Sequence, residues 1–153
     1  MKIVLISDSH GNKMGIDKIF QSIKFDYLFF MGDGLSALGT YIYLDNVFAV
    51  SGNCDFFSSV DNERFVEPQD KKIFMTHGHK YGVKLNLNNL IKRGQELNAD
   101  FVFYGHTHNQ RVDKVGEMYT INPGSFSPKP DRQSYGLILT IEEDSIQIED
   151  LVV

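Results

Sequence analysis

The chain has 153 residues, 42% hydrophobic and 23% charged, with 13 Gly and 4 Pro, which fits one globular domain across 1–153 and excludes a disordered tail, a collagen-like chain and a coiled coil. Fifteen Lys plus Arg against twenty Asp plus Glu give a formal charge of −5 with no basic cluster longer than two residues, so no grip on long nucleic acid is expected. No apolar run approaches the ~20 residues needed to span a bilayer, so no membrane is expected as a partner.

Lys2–Ile6 is short and almost wholly apolar, the pattern of a strand buried on both faces. The chain opens directly into this run, so no secretory signal is read and a cytoplasmic location is expected. Ile16, Ile19, Phe20 and Ile23 recur at i, i+3, i+4 and i+7, which predicts an amphipathic helix with Asn12 as its cap. Tyr27–Met31 predicts a second strand, Leu35–Leu44 a weaker helical stretch and Val47–Val50 a third strand. That alternation is the signature of a parallel sheet with crossover helices.

Ser51–Asn62 reads as a loop, and it carries Cys54, the single cysteine. One cysteine excludes a disulfide framework and any multi-cysteine zinc site. Glu63–Pro68 and Lys71–Thr76 predict strands, Leu87, Leu90, Ile91 and Leu97 a helix, and Phe101–Tyr104 a further strand. Two hairpins follow: Arg111–Val115 with Glu117–Ile121 about Gly116, and Tyr135–Ile141 with Ile146–Val153 about Glu142–Ser145. The expected fold is α/β: two packed mixed β-sheets, a β-sandwich flanked by helices, in a chain too short for a cap domain.

The five histidines occupy positions 10, 77, 79, 106 and 108, bunched in three short segments. Asp8 and His10 follow the first strand, Asp33 the second and Asn53 the third. His77 follows Lys71–Thr76, and His106 and His108 follow Phe101–Tyr104. In open α/β sheets the loops at the carboxyl ends of strands converge on one crevice, where ligands bind. Two carboxylates, an amide oxygen and imidazoles, with no thiolate, suit Mn²⁺, Fe, Zn²⁺, Ni²⁺ or Co²⁺ better than Ca²⁺. Seven such groups are too many for one tetrahedral ion and enough for two if a carboxylate bridges. Two ions about 3.5–4 Å apart can hold a hydroxide for in-line attack on a phosphoryl group.

Asp8-Ser-His10, Gly32-Asp33, Gly52-Asn53, His77-Gly-His79 and Gly105-His106-Thr-His108 resemble, in order, the five blocks of the calcineurin-like metallophosphoesterases. Asn122-Pro-Gly-Ser125 is similar to a further turn of the small bacterial phosphodiesterase branch. The resemblance implies one ion on Asp8, His10, Asp33 and His108 and a second on Asp33, Asn53, His77 and His106, with Asp33 bridging. It implies hydrolysis of a small phosphodiester by a bridging hydroxide, with Asp33, Asn53 and His77 as the catalytic set. Manganese is the first expectation for the metal, ahead of Ni, Fe, Zn or Co, and a homodimer or homotetramer is the expected assembly. One block departs: many members place after the Asn a histidine that helps protonate the leaving group, and here Gly52-Asn53-Cys54-Asp55 has a thiol. With a pKa near ~8.5 a thiol is a poor stand-in, although cysteine there resembles a variant of the small bacterial enzymes.

The neighbouring residues have plainer readings. Asn12 is expected to cap its helix, with a supporting role at the site as the lesser reading. Cys54 is expected as a small apolar filler, Asp55 as an orienter of its loop, and Phe56 and Phe57 as buried anchors, with a wall for the substrate as the lesser reading. His79 is read evenly as lining the pocket or packing, and Arg111 and Lys129 as cations that could meet a phosphate. Gly32-Asp-Gly34-Leu-Ser-Ala37 fits a dinucleotide fingerprint but sits on the second strand, with an acid where pyrophosphate would lie. A strand ending in Asp8 resembles haloacid-dehalogenase-like phosphatases, which want a second Asp where His10 stands. The alternative from another class is a non-catalytic protein-interaction scaffold of the same fold, as in the similar scaffold subunit of retromer. There the metal ligands are damaged, whereas all seven positions here keep competent ligands.

Overall fold

The computed structural model describes residues 1–128, 135–143 and 145–153. Its strands are β1 (Lys2–Ile6), β2 (Tyr27–Phe30), β3 (Val47–Ala49), β4 (Glu63–Val66), β5 (Ile73–Thr76), β6 (Phe101–Phe103), β7 (Gln110–Val115), β8 (Met118–Pro123), β9 (Tyr135–Ile141) and β10 (Ile146–Val152). Two α-helices, α1 (Lys13–Ser22) and α2 (Asn88–Glu96), complete the frame with short 3-10 segments. Among the described residues no helix is long and apolar enough to cross a membrane.

The strands form two mixed five-stranded sheets, ordered β10-β9-β1-β2-β3 and β4-β5-β6-β8-β7. Successive side chains of a strand point to opposite faces, and β1 is apolar on both. Ile3 and Leu5 join Phe29, Met31, Ile73, Met75, Phe101, Phe103 and Ile121 in the core between the sheets. Val4 and Ile6 turn outward onto Ile16 and Ile19 of α1. On the other sheet, Phe74 and Val102 face outward onto Leu90 of α2. Phe29 and Phe103 meet edge-on across the sandwich, ring centroids 5.1 Å apart, an arrangement worth ~1 kcal/mol beyond the buried area.

Asn12 caps α1, its Oδ1 accepting from the Gly15 amide at 3.0 Å. The helical stretch expected over Leu35–Leu44 is a 3-10 segment, Leu35–Tyr43, broken at Gly39, where φ is 52°. The sheets do not divide the chain into an N-terminal and a C-terminal half: the last hairpin, β9–β10, adds to the first sheet, with Leu137 opposite Leu5 of β1. β8 runs parallel to β6 and antiparallel to β7. It also extends past Ile121, so Asn122 and Pro123 close a strand rather than sit in a turn.

Candidate metal centre

β1, β2 and β3 are parallel neighbours in one sheet, as β5 and β6 are in the other. The loops leaving their carboxyl ends meet through backbone hydrogen bonds. The Asp8 amide donates to Gly32 O at 2.8 Å, the His10 amide to Asp33 O at 3.2 Å and the Gly105 amide to His77 O at 3.1 Å. Asp8, His10, Asp33, His106 and His108 all adopt left-handed backbone, with φ between 42° and 69°. Such φ values are uncommon outside glycine and persist where the surroundings over-determine them. Two glycines let the loops close together: a Cβ on Gly52 would overlap the Asp33 carboxylate, and one on Gly105 would overlap Ser7 Oγ.

The donor atoms gather in two groups, Asp8 with His10 and His108, and Asp33 with His77 and His106, each within 4.8 Å. In the second, His77 Nε2 lies 3.1 Å from Asn53 Oδ1, 3.1 Å from His106 Nδ1 and 3.4 Å from Asp33 Oδ2. The opposite ring nitrogen, Nδ1, meets the Met31 carbonyl at 2.7 Å. That oxygen accepts only, so it takes the Nδ1 proton; the neutral ring then keeps its lone pair on Nε2, the usual support for an imidazole ligand, and only the protonated ring donates from Nε2 to Asp33. In the first group, Asp8 Oδ1 stands 3.0 Å from His108 Nε2, and the His10 and His108 Nε2 atoms are 3.5 Å apart. Asp8 Oδ2 accepts from the His106 amide at 3.0 Å and from the Ser7 hydroxyl at 2.6 Å. Asp8 ties the two groups together.

Burial works to raise the Asp33 carboxyl, but hydrogen bonds from His77 and from the Cys54 amide (2.8 Å, to Oδ1) outweigh it and hold the group well below the usual carboxylate range. For His77 burial works downward, and hydrogen bonding to Asp33 with the charges of Asp8 and Asp33 raises it above the ordinary imidazole value. Burial, then the charge of His77, lowers both His79 and His106. Asp33 is thus held ionised and His106 neutral, as metal donors must be, while His77 in the metal-free centre is drawn toward its protonated form.

Several residues hold this arrangement without contributing a donor. Asp55 accepts from four backbone amides: Asp33 and Gly52 at 2.8 Å on Oδ2, Gly34 at 2.8 Å and Leu35 at 2.9 Å on Oδ1. It thus pins the loops after β2 and β3 together, the loop-orienting role expected of it. Ser7, Asn122 and Ser125 also serve the centre, and no metal-ligating pattern marks them in the sequence. Asn122 Nδ2 donates to Gly105 O at 2.9 Å, and the Ser125 hydroxyl donates to Asp8 O at 3.1 Å. The available signal was polarity in apolar company: Ser7 and Asn122 are fully buried next to strand residues.

Asn12 Nδ2 donates to Phe126 O at 2.8 Å, so this side chain joins the cap of α1 to the segment beyond β8. His79 is half-buried, its Nδ1 out of water and without a partner among the described residues, its ring centroid 5.4 Å from His77 and 6.1 Å from His106. Cys54 is exposed, not an apolar filler, and burial with the Asp33 hydrogen bond pushes its thiol up, toward the protonated form. Phe56 and Phe57 are exposed as well, contrary to the expected burial. The turn stapled by Asp55 carries them outward, past the edge of the core. Arg111 is engaged by Asp113 at 2.6 Å. Lys129 lies outside the described residues.

The donors fit divalent cations. Asp8 Oδ1 is buried and makes no hydrogen bond among the described residues although His108 Nε2 stands 3.0 Å away, and a cation between the two atoms would satisfy both. The mixed O/N donor set and the tautomer imposed on His77 point the same way.

The calcineurin-like phosphoesterase superfamily domain matches residues 1–144. "Probable metallophosphoesterase YsnB" of Bacillus subtilis is 34% identical over 152 residues, 97% of this chain and 89% of that protein. "Phosphodiesterase YfcE" of Escherichia coli K12 is 30% identical over 169 residues, covering 90% and 87%. A solved structure of a predicted phosphoesterase from Streptococcus pneumoniae TIGR4 superposes with a TM-score of 0.85 at 26% identity, covering 99% of this chain and 88% of that one. A Vps29 mutant from Entamoeba histolytica shares the fold, with a TM-score of 0.76 at 20% identity over 100% and 99% of the two chains. The relatives and the two donor groups together support metal-dependent phosphoester hydrolysis. The chain belongs to the calcineurin-like phosphoesterase superfamily.

Proposed function

We propose that the chain hydrolyses phosphodiesters at a centre of two divalent ions, manganese first among the candidates, with Asp33 shared between them. The observation that carries this reading is the convergence of Asn53 Oδ1, His106 Nδ1 and Asp33 Oδ2 on His77 Nε2, beside a second group of Asp8, His10 and His108. Bound divalent ions would supply a water of lowered pKa and Lewis acidity toward the phosphoryl oxygens.

The chain's own residues set the rest. Met31 O keeps the His77 lone pair on the inward nitrogen. The Cys54 amide fixes Asp33 Oδ1, and Ser7 with the His106 amide fixes Asp8 Oδ2. Two divalent charges set against Asp8, Asp33 and a hydroxide leave one positive charge. A diester monoanion neutralises it, and a monoester dianion overshoots. His10 and His108 are exposed, which supports an open cleft with broad substrate tolerance. No imidazole stands at position 54 to protonate the departing alkoxide, so good leaving groups are favoured.

The test is metal stripping followed by add-back of Mn²⁺, Ni²⁺, Zn²⁺ or Fe²⁺ against matched mono- and diesters. Faster turnover of diesters at saturating metal is expected; faster turnover of monoesters would overturn the diester preference. The protein-interaction scaffold stays as a second reading because exposed Phe56 and Phe57 present apolar surface beside the Asn53 loop. It predicts that Asp33→Asn leaves the protein's behaviour unchanged, whereas the hydrolase reading predicts loss of turnover.

A further inference from the structure

A cavity of 510 Å³ adjoins the metal centre, walled by the loop that carries Lys84 and Leu85 and by Tyr104, Thr107 and Arg111. Thr107 stands in the chain between His106 and His108, so this wall continues from the donor groups. Among the described residues no carboxylate lines the cavity.

Three of its polar groups lack full partners. Tyr104 is 1% exposed, yet its hydroxyl makes no hydrogen bond among the described residues, at the edge of a cavity it lines. Lys84 is in no ion pair among the described residues. Asp113 holds Arg111 through Nε at 2.6 Å and Nη2 at 3.2 Å, and Nη1 has no partner among the described residues. Beside these groups Leu85 lies 90% exposed, an aliphatic surface with nothing over it.

We propose that this cavity receives one ester arm of the phosphodiester and selects arms that end in a second anionic group, with Lys84, Arg111 Nη1 and the Tyr104 hydroxyl as its donors. The inference deepens the hydrolase reading and rests on it. An anion there accepts charge-assisted hydrogen bonds, which are shorter and stronger than neutral ones. The carbon chain joining it to the phosphodiester covers Leu85. Hydrolysis itself is unaltered in kind. A water oxygen bonds to phosphorus, the bond to one ester oxygen breaks, and a proton ends on the departing alcohol.

The experiment uses metal-loaded protein and three 4-nitrophenyl phosphodiesters, whose second arm ends in a carboxylate, a phosphate or a neutral carboxamide of equal length. The charged arms are expected to lower KM about tenfold relative to the carboxamide, the effect of one charge-assisted hydrogen bond. That ratio falls toward one in Lys84→Gln and part of the way in Tyr104→Phe, and persists in Lys92→Gln, on an exposed position of α2. Equal KM for all three arms, or a ratio untouched by Lys84→Gln, overturns the proposal while leaving diester hydrolysis standing. The carboxylate and phosphate arms separate the two kinds of anion. In parallel, n-butyl phosphate is titrated into the metal-free protein while the backbone amide resonances of Lys84 and Thr107 are followed by NMR. Shifts that vanish in Lys84→Gln support the anion site even if no diester is turned over, an outcome that would remove the hydrolase reading alone. Absence of shifts counts against the site.

Discussion

The Cys54 amide donates to Asp33 Oδ1 at 2.8 Å, so the residue beside Asn53 steadies the Asp33 carboxylate through its backbone, whatever its side chain. The exposed thiol is therefore free to change without loss of this contact. Cys54→His is expected to fold as the parent does and to add an imidazole able to protonate a leaving group. General acid catalysis contributes roughly 10²-fold or more where it is needed. The gain should appear with alkyl leaving groups and be small with 4-nitrophenyl, whose departure needs little help. Comparing kcat for the two substrate types in parent and variant checks this; equal changes for both would contradict it.

Asp55 supports the centre without reaching it. Its carboxylate accepts from the amides of Asp33, Gly34, Leu35 and Gly52, so Asp55→Ala strips the acceptor from four donors at once. Hydrogen bonds to a charged group are worth ~1.5–3 kcal/mol each, and water recovers much of that for half-buried amides. A net loss of about 3 kcal/mol is expected, read as a lower midpoint in urea unfolding. Metal affinity should fall about 10–100-fold, as for other outer supports of a metal site. Asp55→Asn keeps one acceptor oxygen and should lie between.

His77 gives the metal-free centre its pH dependence. Its pKa is raised against the pull of burial by Asp33, aided by the Asp8 charge. A metal ion needs the Nε2 lone pair, so below that raised pKa it must displace a proton. Apparent affinity therefore rises with pH and levels off once His77 is neutral. Calorimetric titrations with Mn²⁺ in two buffers of different ionisation enthalpy should report proton release at the acid end that fades as the pH rises. A release independent of pH would contradict this assignment.

Gly105 separates a packing requirement from a chemical one. A Cβ there overlaps Ser7 Oγ and crowds Asp8 Oδ2, so Gly105→Ala must push Asp8 or the His106 loop aside. Overpacking of this kind costs ~1–3 kcal/mol. Metal affinity should drop with stability, while Gly116→Ala, whose Cβ meets nothing within 4 Å but which sits at a φ of 61°, should lower stability and leave metal affinity alone.

Much of this architecture is local in sequence, and that part is legible there. Polar residues two positions past apolar runs, such as Asp8 after Lys2–Ile6 or His106 after Phe101–Tyr104, mark strand ends without any tertiary information. Asn12 likewise declares itself three residues before the amide it caps. The placement of β9 beside β1 rests on a pairing between Leu137 and Leu5, and no periodicity reports which distant strand completes a sheet. Phe56 and Phe57 mislead for a related reason. Aromatic rings usually mean burial, but Asp55 fixes the direction of their turn through four backbone amides, and backbone contacts leave no trace in side-chain pattern. Asn122 acts the same way, on the Gly105 carbonyl that any residue would supply.

The central claim, two divalent ions held by two adjoining donor groups, is tested most directly by counting metal. Protein stripped with chelator, reloaded with Mn²⁺ and dialysed to equilibrium should bind two ions per chain. The Asp33→Asn variant should bind fewer, with turnover of bis(4-nitrophenyl) phosphate lost in step. One ion per chain at saturation, or an Asp33→Asn protein that binds and hydrolyses as the parent does, would contradict the account.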